Sequence, residues 1–357
     1  MAGSQDVPEA VSQRLRGFVS QQRSAVSAES PDAALLIDAA ESALAGGKRL
    51  RARFCETGWR SVSPAVGSAA IIDAAAALEI FQAAALVHDD IIDNSDTRRG
   101  RPSAHRALEA MHRAAGWTGD AAAFGRSGAL LLGDLLVAWS DDLFESALAT
   151  LADPALARDE YARMRRDVTL GQFLDIAQES AWIVQPDDTH ADRALEVASL
   201  KSARYSVVQP LVIGGALGGG SAPQLDALRR FGMPVGLAFQ LRDDVLGVFG
   251  DSSVTGKPTG DDLREGKRTL LVAYAREGMS DADRAAFDAR LGDVDLEEAS
   301  ITRMQDGIRD TGALARVEER IAQYQREADA ALAAAPLTAD AIEELSVLAD
   351  AATRRSA

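Results

Sequence analysis

Three aspartates carry the first chemical signal. Asp89, Asp90 and Asp93 close the run FQAAALVHDDIID. On a helix, residues four apart share a face, so Asp89 and Asp93 present carboxylates side by side, with Asp90 on one flank. Gln82, seven residues before Asp89, falls on the same face. A second pair, Asp243 and Asp244, lies in FQLRDDVLGVFGD, with Gln240 one turn before it and Asp251 beyond. Carboxylates gathered on an apolar background repel one another and require a cation. Magnesium suits such a site, because it prefers oxygen and takes one or two carboxylates plus phosphate oxygens and water. Two clusters facing each other would hold several magnesium ions around a diphosphate.

Taken alone, such a triplet could equally be a solvated helix end, since DDxxD by itself is a weak pattern. Asp141, Asp142 and Glu145 form a similar group, as do Asp187 and Asp188. No basic stretch follows them, and they read as solvated acidic faces. Three features set Asp89–Asp93 apart. An apolar run precedes it, the basic loop 94–104 (NSDTRRGRPSA) follows it, and the arrangement recurs at Asp243 with the loop 250–268 (GDSSVTGKPTGDDLREGKR). Long polar loops inside a compact domain are usually functional or disordered. The outer oxygens of a diphosphate also need cations, arginine as a bidentate partner and lysine as a point charge. The candidates are Lys48, Arg49 and Arg51 in GGKRLR, then Arg98, Arg99, Lys201, Lys257, Arg264, Lys267 and Arg268. They cluster beside glycines in an acidic chain.

The elements that must position these groups are helices. Alanine and leucine dominate, aromatic residues make up 5%, and no sustained β-branched alternation occurs. Apolar residues recur at helical spacing in Val11, Leu15, Phe18 and Val19. They do so again around Asp134, in Leu130, Leu131, Leu135 and Ala138, and in Leu314, Val317, Ile321 and Tyr324. Proline marks the breaks, while Pro210 and Pro234 fall in apolar runs where they start or kink a helix. The chain is therefore predicted to be all-α, a bundle of ten or more helices in one domain spanning 1–357, with 1–30 as an N-terminal helix or extension. A chain of 357 residues buries a large core without staples, and the single Cys55 excludes an internal disulfide or a zinc site. A net charge of −16 argues against non-specific binding of nucleic acid. Residues 1–30 lack the apolar segment of a signal peptide. The longest apolar stretch, Ile71–Val87, is broken by Asp73, Glu79 and Gln82. No transmembrane segment is expected, and the protein reads as soluble and cytoplasmic.

Seven ordered motifs resemble those of the trans-isoprenyl (polyprenyl) diphosphate synthases, geranylgeranyl diphosphate synthases in particular. They are GGKRLR (46–51), HDDIIDNSDTRRGRPSAH (88–105), LLGD (131–134), GQFLD (171–175), KSARYS (201–206), FQLRDDVLGVFGD (239–251) and TGKPTGDDLREGKRT (255–269). The resemblance runs from about Leu44 to Ala273. It implies an isoprenoid synthase-type helical bundle around a central cavity, assembled as a homodimer. It also implies head-to-tail condensation of isopentenyl diphosphate with an allylic diphosphate (dimethylallyl, geranyl or farnesyl), with release of diphosphate. Carried over, Asp89 and Asp93 ligate two magnesium ions, with Asp90 close by. Asp243 holds a third ion, supported by Asp244 and Asp261. Arg98, Lys201 and Lys257 contact the allylic diphosphate, and Lys267 joins the substrate-binding set. Lys48, Arg51, Gln82 and Arg99 bind isopentenyl diphosphate, while Ser202 and Gln240 turn oxygen dipoles toward the developing cation. In this family the departing diphosphate takes the proton, which suits a chain with no evident His–Asp or Cys–His pair. His88 reads as a packing or supporting residue, and His105, His112 and His190 are given no role.

The resemblance has one departure and sets one length. Gly247 stands where many members have a third aspartate. The helix before Asp89 lines the tail pocket, and an isoprene unit spans about one helical turn, roughly 5 Å. Bulky residues four or five positions before the first aspartate stop growth at fifteen carbons, but this chain has Ala85 and Ala84 there. Phe81, one turn deeper, is expected to stop growth at twenty carbons, giving geranylgeranyl diphosphate. Fifteen-carbon or longer products are the alternatives within the same chemistry. A class I terpene cyclase or a non-catalytic synthase subunit would be different functions. Lys48, Arg51 and Arg99 speak against the first, and two intact acidic clusters against the second.

Overall fold

The computed structural model describes residues 6–27, 30–63, 69–149, 151–250 and 259–353. The chain opens with α1 (Val7–Ser27), α2 (Pro31–Leu44), α3 (Leu50–Val62) and α4 (Ala69–Ile92). After a small hairpin come α5 (Ala104–Ala114), α6 (Ala121–Leu148) and α7 (Ala155–Ala181). Two short 3-10 turns lead to α8 (His190–Val197), a π-helix (Ala198–Val208), α9 (Gln209–Leu217) and α10 (Ala222–Phe249). The C-terminal part holds α11 (Asp261–Glu265), α12 (Leu270–Gly278), α13 (Asp281–Asp288), α14 (Glu298–Asp310), α15 (Ala313–Ala333) and α16 (Ala339–Thr353). Among the described residues, strand is confined to β1 (Thr97–Arg98) paired antiparallel with β2 (Arg101–Pro102). The all-α expectation holds, and the loop after the first acidic cluster is tightened by that hairpin.

The central element is α4. Ala74 to Leu78, Ile80, Phe81, Ala83 and Ala84 are buried, so this helix is enclosed on most of its circumference. Its alanines let α6 pack close along it. His88 lies flat against Gly133 of LLGD, where a Cβ would stand 2.6 Å from the ring Cε1. That contact makes His88 a packing residue, with its Nε2 3.2 Å from the Leu130 carbonyl oxygen. The predicted α1 stripe of Val11, Leu15, Phe18 and Val19 is buried in the same core, so residues 7–27 dock rather than trail.

The stripe predicted on α6 is corrected. Its buried face is Ala129, Leu132, Leu136, Trp139 and Leu143, while Leu130 and Leu131 are 52% and 59% exposed. Both sets recur at helical spacing, and burial follows the one that meets α4. By length and hydropathy α4 and α6 could each cross a bilayer, but the apolar surface of α4 is mostly enclosed by protein. Pro210 sits in the first turn of α9, and Pro234 lies inside α10, as their positions predicted.

Candidate functional site

The first acidic cluster ends α4. Asn94 adopts φ 50°, a left-handed conformation that stops the helix, and Ser95 N donates to the Asp90 carbonyl at 2.9 Å. Asp89 and Asp90 lie in the last turn, at the negative end of the helix dipole, where no basic residue of the helix itself offsets them. Cations therefore arrive from elsewhere in the chain. Arg98, turned back by the hairpin, donates through Nε to Asp90 Oδ1 at 2.8 Å and stands 3.4 Å from Asp89. Lys201 Nζ reaches within 3.3 Å of Asp89, and Lys267 Nζ within 3.4 Å of Asp93. Burial alone would raise Asp89, but Lys201, Lys267 and Arg98 outweigh it and hold its carboxyl below the usual range. Burial and the neighbouring Asp89 charge win over Lys267 at Asp93, which is raised.

The second cluster lies in the last two turns of α10. Gln240 Nε2 donates to Asp244 Oδ1 at 2.7 Å, an i,i+4 clasp that orients the carboxylate. Burial, then Asp262 and Asp243, push Asp244 up to about 8. Asp262, on α11, is buried with its carboxylate against Gly247 of α10, next to the Asp261 that the resemblance puts in support. Lys267 links the clusters. Its ammonium is 2.7 Å from Glu265 and faces Asp93, and despite its burial Asp262, Glu265, Asp93 and Asp89 hold its pKa well above that of an ordinary lysine. One cation thus stands between the acids of α4 and those of the α10–α11 side.

Lys201 and Ser202 sit on the π-helix. Gly171 of GQFLD makes this possible, because a Cβ there would stand 2.7 Å from Lys201 Cα. The π-helix backbone therefore rests directly on α7, and Asp175, one turn after Gly171, accepts from Lys201 Nζ at 2.6 Å. Glu179, a further turn on, is raised to about 7 by burial and the nearby Asp175 and Asp93 charges. Neither Asp175 nor Glu179 was singled out from sequence. The Gly-to-Asp spacing in GQFLD was the available signal.

A separate basic group forms where GGKRLR meets the hairpin. The Arg99 guanidinium lies 3.1 Å from where a Gly47 Cβ would be. Partial burial and the charges of Arg49, Arg98 and Arg51 lower the pKa of Arg99 against the pull of Glu79. Such crowding of like charge favours an incoming anion. Arg51 donates to Ser206 Oγ at 2.7 Å and stacks over Tyr205 at 4.0 Å, while its Nε is buried without a hydrogen bond. Lys48 is exposed at the rim. Arg49 turns inward to the Leu44 carbonyl at 2.7 Å and to Glu79, a structural role. Gln82 is half-buried on α4. Lys257 and Asp251 lie outside the described residues, as do Arg354 and Arg355 at the C-terminus.

Beside Asp90 a hollow of about 560 Å³ opens between α2, α4 and α5. Ala83, Leu86 and Val87 line it, with Arg98 and Arg99 at one end. Phe81, Ala84 and Ala85 lie on other faces of α4. Phe81 is buried edge-on against Tyr205, with ring centroids 5.9 Å apart. Three of the remaining acidic residues are at least partly exposed and also carry ion pairs. Asp141 pairs with Arg165, Glu145 with Arg158, and Asp187 with Arg276 and Arg284.

The donor set fits a magnesium–diphosphate complex. Among the described residues no three of His, Cys, Asp or Glu gather at ligand spacing. Magnesium held partly by substrate phosphates needs only one or two carboxylates per ion. Asp89 Oδ1 is buried and faces the Lys201 ammonium at 3.3 Å. The ligand atoms on both sides are carboxylate oxygens, flanked by cations that could turn to phosphate oxygens.

Comparison with known proteins agrees with this geometry. A family profile described as polyprenyl synthetase matches residues 33–306. The chain is similar to a geranylgeranyl pyrophosphate synthase from Corynebacterium glutamicum, whose crystal structure is complexed with isoprenyl diphosphate and magnesium. The identity is 38%, the TM-score 0.93, and the match covers 98% of this chain and 99% of that one. A geranylfarnesyl diphosphate synthase from Aeropyrum pernix is 31% identical over 86% of this chain and 89% of its own length. A nonaprenyl diphosphate synthase from Mycobacterium tuberculosis is 31% identical over 82% of this chain and 78% of its own.

Proposed function

The chain belongs to the polyprenyl synthetase family and is a prenyltransferase, and on that premise we propose that it joins isopentenyl diphosphate head-to-tail to an allylic diphosphate, with geranylgeranyl diphosphate as its product. The observation that carries this reading is Lys267 standing between the acids of α4 and those of α11 beside α10, with two separate basic groups flanking them. A reaction that joins two diphosphate esters needs two anion sites, and a cyclase needs one.

In this reading Asp89, Asp93 and Asp243 hold magnesium, with Asp90 and Asp244 in support. Bound there, three magnesium ions would supply Lewis-acid stabilisation of the departing diphosphate. Arg98, Lys201, Lys257 and Lys267 take the outer oxygens of the allylic diphosphate, so the charge that develops on ionisation meets fixed cations. Asp175 orients Lys201 for that task. Lys48, Arg51, Gln82 and Arg99 hold isopentenyl diphosphate, whose double bond attacks the allylic cation. Ser202 and Gln240 face the cation with oxygen dipoles, and the released diphosphate accepts the proton.

Phe81 closes the tail pocket at twenty carbons, below Ala84 and Ala85. The similarity to a geranylgeranyl synthase supports this length, while relatives named for longer products show how far it varies within the family. The exposed Leu130 and Leu131 on α6 form an apolar face suited to a second copy of the chain in a homodimer. The test supplies labelled isopentenyl diphosphate, magnesium and each of dimethylallyl, geranyl and farnesyl diphosphate. The expected result is elongation that ends at geranylgeranyl diphosphate. No elongation with any primer, or a cyclised hydrocarbon made without isopentenyl diphosphate, would overturn the reading.

A further inference from the structure

The proposed condensation leaves unused the hollow between α2, α4 and α5. That hollow meets α4 on a face of its own. Gln82, Asp89 and Asp93 share one side of the helix, whereas Ala83, Val87 and Asp90 point roughly a quarter-turn away. Leu35 and Ala39 of α2, Leu86 of α4, and Leu108 and Met111 of α5 make most of the remaining wall apolar. A volume of about 560 Å³ lies within the range of about 300–1,000 Å³ that small-molecule sites occupy. The two acids on its wall are already neutralised, Asp38 by Arg23 and Asp90 by Arg98.

Positive charge is in excess at the hairpin end. Arg98 of β1 sits directly opposite Arg101 of β2, and Arg99 occupies the turn between them at φ 53°. Like charges facing each other across a hairpin are unfavourable, and so is a non-glycine residue in the left-handed region. Asp90 answers Arg98, but Arg99 and Arg101 make no ion pair among the described residues, although the chain carries a net charge of −16. The hollow is thus an apolar trough ending in two unanswered guanidinium groups, and an anion there would relieve the crowding.

We propose that this hollow is a second ligand site, separate from the acidic walls, and that it takes a single-chain phosphate ester. The chain lies between α2, α4 and α5, and the phosphate meets Arg99 and Arg101. Guanidinium groups alone hold such a head, so the site needs no metal ion. The site stands without the condensation reading, and only its consequence rests on it. If Arg99 also holds isopentenyl diphosphate, the two ligands compete for one side chain. Occupancy of the hollow then raises KM for isopentenyl diphosphate and leaves kcat unaltered.

Isothermal titration calorimetry on the full chain in EDTA tests the site, with farnesyl phosphate and dodecyl phosphate as probes. One molecule of at least one probe is expected to bind per chain, and the tighter probe tells whether the site favours a branched isoprenoid or a straight chain. Ala39→Phe fills the trough from α2, and Arg101→Glu reverses the charge at the exposed rim. Each is expected to weaken binding by about tenfold or more, the loss that follows removal of one charge-assisted contact or of the space for the chain. Lys201→Ala, at the acidic walls, leaves binding unchanged. No binding of either probe, undiminished binding in either folded variant, or loss of binding in Lys201→Ala overturns the proposal. In turnover, a lowered kcat at unchanged KM would overturn the competition for Arg99. The titration needs neither metal nor catalysis, so its failure is distinct from failure of the condensation assay.

Discussion

On α4, Asp89 lies within reach of Lys201, Lys267 and Arg98, and its carboxyl is held below the ordinary range. On α10, Asp244 is pushed up to about 8 by burial and by Asp262 and Asp243. Both walls place aspartates near the C-terminal end of an apolar helix, where the helix dipole opposes them. The difference lies in what surrounds them. The hairpin and the π-helix bring fixed cations to Asp89, which is held ionised, while Asp93 on the same wall is raised by burial and by Asp89. At the second wall, burial and then the charges of Asp262 and Asp243 outweigh the opposing pull of Gln240 and Lys267 on Asp244. The comparison teaches that one repeated motif sits in two electrostatic settings, cation-rich around Asp89 and acid-rich around Asp244.

Substitutions at matching positions would break or sharpen this contrast. The largest effect is expected at the first wall. Asp89→Asn should lower kcat by about 10²–10³, the loss typical of removing one preset electrostatic contact to developing charge. The same change should cost about 1 kcal/mol in stability, because Lys201 keeps Asp175 and Arg98 keeps Asp90 as partners. Steady-state kinetics and denaturant melts measure the two. Asp244→Asn should behave oppositely in the metal-free protein, leaving stability unchanged or raised at pH 8, while activity falls less than in Asp89→Asn. Equal losses in both variants would erase the distinction between the walls.

A pH series probes the same contrast on a smaller scale. The native protein holds the Asp244 proton up to about pH 8, whereas the ordinary value is 3.8. Between these values the native state binds more protons than the unfolded chain, so this group makes stability fall as pH rises. Melting temperatures of the metal-free protein should therefore drop from pH 5 to pH 8.5 through this contribution, and Asp244→Asn should flatten the slope. Magnesium with inorganic diphosphate should stabilise more at the upper end, because a metal ligand must be deprotonated. A slope unaltered in Asp244→Asn would place the proton elsewhere.

The mildest change concerns the tail. Phe81→Ala should leave ionisation intact and shift the products by one or two isoprene units. Chromatography of the dephosphorylated alcohols would show it, and an unchanged length would assign the limit to another residue.

Much of this arrangement was legible in the chain because helical spacing makes faces readable. Asp89 with Asp93, Gln240 with Asp244, and the buried stripe of α1 all follow from positions three or four apart. What stayed hidden depends on contacts between elements. The burial of Asp262 on α11 depends on packing against α10, where Gly247 leaves room for its carboxylate. The π-helix that carries Lys201 has no composition signal, because it is an insertion into helical hydrogen bonding. On α6 two apolar sets compete, and only the packing of α4 decides which is buried. Asp175 was overlooked because its partner lies 26 residues away in sequence.

The most direct test is anomalous scattering from crystals grown with Mn²⁺ and a non-cleavable allylic diphosphate analogue. The two-wall arrangement predicts manganese peaks on Asp89 and Asp93 and another on the Asp243 side, with the diphosphate between them and Lys267 turned toward its oxygens. Manganese on one wall alone, or a diphosphate bound away from both, would contradict it.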